Sequence, residues 1–236
     1  MAAWAEVEQT VTQALGLSRR PVAIAFHDAP PAGVSAFAGT EPSGCSFWRL
    51  AGAGRTFYTV PSDHHNCPIG SHTHAVTLPA ARASELEQAL GFMAGLGYVR
   101  MGEVPGIPVL PRTPGAVVYA PLGETPVDPD VVLVAGRPGR LMLLLEAAGR
   151  AGVATQPGLL GRPTCMALPA VLAGGAVASA GCIGNRVYTD LGDDEMYIAV
   201  AGRDLVRVAG ELATIIAAND ALATYHHERR RTLATL

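Results

Sequence analysis

Short apolar runs rich in β-branched residues recur along this chain, at residues 21–26, 55–60, 116–120, 130–135, 176–180 and 196–200. Runs of this length, bounded by glycine, proline or charged residues, read as buried strands and not as buried helices. Helical spacing fills the intervals. Trp4, Val7, Val11, Ala14 and Leu15 share one face of a helix over residues 3–16. A second helix covers about 138–150, and a long one starts near Asp204 with Leu205, Val208, Leu212, Ile215 and Ile216 turned inward. Residues 74–78 read as a further strand. Ser84 and Glu87 form a capping-box pattern ahead of a helix carrying Leu86, Leu90 and Met93. Strands alternating with helices define an α/β chain with a mixed, α+β-like sheet. With 49% hydrophobic and only 16% charged residues, it has enough apolar material for a sizeable core. No charge-rich linker interrupts it, so residues 1–236 are expected to form a single domain.

Four cysteines punctuate this pattern at corresponding places. Cys45 opens an apolar helical stretch after Pro42, Ser43 and Gly44, and Cys165 follows Arg162, Pro163 and Thr164 at another helix start. Cys67, with Gly70, follows one strand, and Cys182, with Gly184, follows another. Each half therefore runs strand, cysteine, strand, cysteine, strand, helix. The expectation is two related halves, about 17–101 and 129–220, packed about a pseudo-two-fold axis and joined by the proline-rich connection 102–128. Such packing brings Cys45, Cys67, Cys165 and Cys182 together as an S4 metal site. That donor set suits an iron–sulfur cluster, with zinc as the alternative. Arg49 and Arg186 are placed to offset its negative charge, and Asn185 with Arg186 to bind a carboxylate or phosphate.

The stretch around Cys67 also carries His64, His65, His72 and His74. A mixed Cys–His zinc or iron site is chemically reasonable there, although exposed histidines on a polar loop are the commoner outcome for any one of them. Asp193, Asp194 and Glu195 read as a solvated turn before a strand, not as a cation site.

Composition removes several function classes. All 17 basic residues are arginine, so Schiff-base chemistry on lysine and a phosphate-binding P-loop are both excluded. A net charge of −3 argues against nucleic acid as a partner. No apolar run is long enough for a membrane span, and the start lacks a basic segment followed by an apolar run. The expected location is therefore cytoplasmic, where thiols stay reduced.

Gly44-Cys45-Ser46-Phe47-Trp48-Arg49, the segment from Asp63 to Gly70, residues 129–134, and the segments Gly181 to Tyr188 and Asp193 to Ile198 together resemble the ArCR family, domain-of-unknown-function family 169. The resemblance covers about residues 8–218. It implies a common fold and carries no assigned activity. The leading expectation is a protein that binds a metal or iron–sulfur cluster through thiolates, for redox, sensing or cofactor handling with an unknown small molecule or redox partner. A thiol-dependent enzyme is the first alternative, with Cys45 or Cys67 as nucleophile and His64 or His65 as base, Cys67 and His65 being the leading candidates. A non-catalytic module binding a small anion is the second. The apolar last helix offers a surface for a homodimer.

Overall fold

The protein is described by a computed structural model at residues 4–172 and 174–234. Seven strands form one mixed sheet: β1 (Val22–His27), β2 (Phe57–Thr59), β3 (Ala116–Pro121), β4 (Val131–Gly136), β5 (Thr155–Leu160), β6 (Ala176–Ser179) and β7 (Met196–Ala201). Their order across the sheet is β2-β3-β1-β4-β7-β6-β5. All neighbours are antiparallel except β5 and β6.

Outward from the central β1–β4 pair the pairing repeats. β1 pairs with β3 over Val22↔Pro121 to His27↔Ala116, and β4 with β7 over Val131↔Ala201 to Gly136↔Met196. β3 then takes β2, and β7 takes β6. β3 lies inside the proline-rich stretch 102–128, so part of that stretch is a fully buried strand of the sheet.

Both faces of the sheet are covered, which is why its central strands read as continuous apolar runs without alternation. Alternate residues serve the two faces. Ala23, Val132, Val134, Ile198 and Val200 point toward α1 (Trp4–Leu15), α5 (Pro138–Arg150) and α8 (Gly202–Leu233). Val22, Ile24, Val131, Leu133, Tyr119 and Ala199 point the other way. They meet α2 (Gly44–Gly52), which carries Phe47 and Trp48, and α6 (Ala167–Leu172). On that second side also lie α3 (Pro68–Thr73) and α7 (Ile183–Thr189), which contact α2. All four cysteines belong to this side.

α8 packs its first turns through Leu205, Val208, Ala209 and Leu212 and then runs on with its remaining side chains mostly exposed. Among the described residues no helix is long and apolar enough to cross a membrane.

Three local expectations are corrected. Residues 74–78 form no strand, because α3 ends there. Ala75 adopts φ 55°, the Val76 N–H bonds Ser71 O at 2.8 Å and the Ala75 N–H bonds His72 O at 3.0 Å. That is a Schellman-type helix end, in which the chain turns away. The helix α4 (Glu85–Gly95) forms as expected, but without its capping box: Ser84 makes no cap bond, and its Oγ accepts instead from Gln88 Nε2 at 3.0 Å. β5 was not expected, since Pro157 and Gly158 interrupt it. It survives as an edge strand, where a missing N–H costs least, and its register with β6 is irregular between Thr155 and Leu159.

In the acidic turn Asp193 and Asp194 are exposed as expected, while Glu195 turns inward and accepts the Gly192 N–H at 2.9 Å. Asp194 pairs with Arg137 at 2.9 Å and Glu195 with Arg19 at 3.3 Å.

Candidate functional site: a four-cysteine cavity

Cys45, Cys67, Cys165 and Cys182 all line one cavity of about 530 Å3 on the second side of the sheet. Each is placed by the start of a helix or turn. Cys45 lies in the first turn of α2, held down by the buried Phe47 and Trp48 that follow it. Cys67 and Cys182 are the N-cap residues of α3 and α7. The Cys67 Sγ accepts from the Gly70 N–H at 3.4 Å, and the Cys182 Sγ from the Asn185 N–H at 3.5 Å. Cys165 sits in the 3-10 turn Thr164–Met166 that leads into α6. Thr164 Oγ1 accepts the Cys182 N–H at 2.5 Å and so ties the last two cysteine segments together.

The thiols are close enough to affect one another. Burial pushes the Cys45 thiol well above its ordinary value; a charge on Cys165 raises it further and the Asn185 amide opposes, followed by smaller effects of Cys182 and Cys67. Burial also raises Cys67, against the backbone N–H groups of Gly70 and Ile69, with Cys182 adding to the rise. Cys165 is pushed up to about 12, first by burial, with the Thr73 hydroxyl opposing. As free thiols these three therefore stay protonated at neutral pH, and a metal must displace their protons. Among the described residues, no three His, Cys, Asp or Glu side chains are grouped to hold a single metal ion.

Asn185 is 1% exposed and lines the cavity, with its amide set against the Cys45 thiol and the Tyr197 hydroxyl.

The roof comes from α4 and the 3-10 turn Met101–Gly106, through Leu90, Met93, Val99, Val104 and Ile107. Tyr98 joins roof to floor, since its hydroxyl accepts the Ile183 N–H at 3.4 Å. At the rim the Arg162 guanidinium lies 4.8 Å from the Tyr98 ring centre. The sequence predicted the helix carrying Leu90 and Met93 but not its place over the cysteines, and Val99, Val104 and Ile107 lie among glycines and prolines without helical or strand periodicity.

The two arginines expected at the site lie elsewhere. Arg186 donates to Gly192 O at 2.6 Å and Glu195 O at 3.0 Å, and to Ala180 O as well, so it fixes the turn after α7. Arg49 pairs with Glu41 at 3.4 Å and lines a separate cavity with Trp48 and Arg19.

No histidine lines the four-cysteine cavity. His65 is half-buried and has no hydrogen bond to Cys67. His64 and His74 are buried and stacked, with ring centres 4.9 Å apart. His64 Nε2 bonds Thr59 Oγ1 at 2.8 Å, and His74 Nδ1 bonds Gly70 O at 2.9 Å.

Burial lowers both histidines, His74 from 6.5 to about 4. The unfolded chain therefore takes up protons first as pH falls, and stability is lost between about 6.5 and 4. The unfolding free energy at pH 5 is expected to lie on the order of 2–4 kcal/mol below that at pH 7.5. Urea unfolding at the two pH values checks this, and equal stability would refute the buried, neutral pair.

No curated protein and no solved structure matches the chain. The model of one family does: DUF169, described as uncharacterised ArCR, matches residues 10–210, a span that holds every strand, all four cysteines and the cavity roof. The chain belongs to the DUF169 family.

Proposed function

We propose that the protein holds an iron–sulfur cluster on Cys45, Cys67, Cys165 and Cys182 and uses it for electron transfer or sensing. The observation that carries this reading is that four cysteines from four separate elements, far apart in the chain, line a single cavity. Thiolates around one tetrahedral zinc stand about 3.8 Å apart, given a Zn–S length of about 2.3 Å. No such grouping is found among the described residues. A cluster spreads its four thiolates over its corners and so suits a wider, cavity-lining arrangement. Two N–H groups already point at sulfur, those of Gly70 and Asn185. The Asn185 amide, which opposes the rise of the Cys45 thiol, supplies a third, and N–H groups aimed at thiolates stabilise them and raise a cluster's potential.

The repeated strand pairing on either side of β1 and β4 supports the related-halves reading of the chain. Cys45 then corresponds to Cys165 and Cys67 to Cys182. A pseudo-two-fold axis between the halves would pass through the cluster.

Anaerobic purification from iron-fed cells tests this. The expected sample is brown, with iron and acid-labile sulfide in equal amounts. A colourless protein with neither, or one holding zinc alone, would overturn the proposal. A Cys67–His65 thiol enzyme predicts instead one fast-alkylating cysteine in the metal-free protein.

A further inference from the structure

The cavity is larger than a cluster needs. Its roughly 530 Å3 lies within the range of about 300–1,000 Å3 typical of small-molecule sites. Thiols make up the floor, and the roof is aliphatic: Leu90, Met93, Val99, Val104 and Ile107. Charge enters at one place. Among the described residues, Arg162 and Glu103 are the only charged side chains of the lining, and both stand at the rim.

Their charges do not cancel. Glu103 is already engaged by Arg100, with Nε–Oε1 at 2.7 Å and NH2–Oε1 at 2.6 Å. Arg162 reaches the same carboxylate only at 3.3 Å. Two guanidiniums thus share one carboxylate, and the surplus positive charge is the one facing the cavity. Arg162 is further fixed against the Tyr98 ring, which holds its planar donor edge in place. A guanidinium in this setting matches a carboxylate bidentately, and the aliphatic roof matches an apolar body.

We infer that the upper cavity binds a small amphiphilic monocarboxylate, with its carboxylate on Arg162 and its apolar part under α4 and the turn Met101–Gly106. This rests on the reading above for what occupies the floor, but not for the roof and rim. Binding leaves Glu103 with Arg100, so no buried charge is orphaned.

Decanoate, used below its micellar concentration, is the probe, and decanol is the uncharged control. Calorimetric titration of the full-length protein is expected to give one decanoate per chain. Arg162→Gln should weaken decanoate about tenfold or more, as loss of a charge-assisted pair does, and leave decanol unchanged. Val104→Trp, at a half-exposed roof position, should abolish binding of both while circular dichroism stays that of the wild type.

No saturable decanoate binding, equal affinity for decanoate and decanol, or an Arg162→Gln protein that binds like wild type would each overturn the inference. Iron and sulfide are measured on the same samples. Decanoate binding without them keeps this inference and removes the cluster. A full cluster without decanoate binding does the reverse.

Discussion

Truncating Phe47 to alanine is expected to lower the unfolding free energy by about 3–5 kcal/mol, the usual cost of emptying a buried aromatic site. Phe47 is fully buried at the centre of an aromatic group. Its ring centre lies 5.1 Å from Phe37, 5.5 Å from Tyr119, 5.4 Å from His64 and 6.0 Å from Phe57. These partners come from a loop, from β2 and β3 and from the turn before Cys67, so the surroundings cannot collapse together to fill the hole. Against a typical total of about 5–15 kcal/mol this is a large fraction. Phe47 also lies two residues after Cys45 and anchors the helix that presents that thiol. The same variant should therefore lose order at the cavity floor. Urea unfolding of Phe47→Ala beside Phe47→Leu checks the claim. A loss below about 1 kcal/mol for the alanine variant would mean that α2 is not the keystone of this side of the sheet.

Replacing any one of the four cysteines by serine is expected to strip the protein of iron and sulfide while leaving its fold intact. Serine fills nearly the same space but is a poor ligand for iron. Losing even a hydrogen bond behind a metal ligand costs about 10–100-fold in affinity, and losing the ligand should cost more. Each of the four thiols lines the same cavity, so each has a place in the ligand set. Metal and sulfide analysis of the four variants, with His65→Ala as control, separates the readings. Four defective serine variants and a normal His65→Ala protein are expected. A serine variant with its full iron content would remove that cysteine from the ligand set.

Much of the layout was legible in the residues. The β-branched runs became β1, β2, β3, β4, β6 and β7, because a strand buried on both faces must be apolar at every position. Cys45, Cys67, Cys165 and Cys182 do line one cavity, although the strand order from which this was expected placed a strand at residues 74–78 that does not form.

What was not legible depends on tertiary contacts. Pro157 and Gly158 look like a break, and only the edge position of β5 makes them tolerable. Arg49 and Arg186 each stand four residues after a cysteine, a spacing that shares a helix face, yet other partners hold their guanidiniums. Arg49 is drawn to Glu41 and Arg186 to backbone carbonyls of the turn that follows. Arg162 and Tyr98, distant in sequence, meet at the cavity mouth instead.

The most direct test of the central claim is an anomalous difference map at the iron edge from anaerobically grown crystals. The account predicts one iron peak group inside the cavity, bonded to the Sγ atoms of Cys45, Cys67, Cys165 and Cys182, present just above the iron edge and absent just below it. Iron at any other place on the molecule, or a cavity without iron in crystals of an iron-fed preparation, would contradict it.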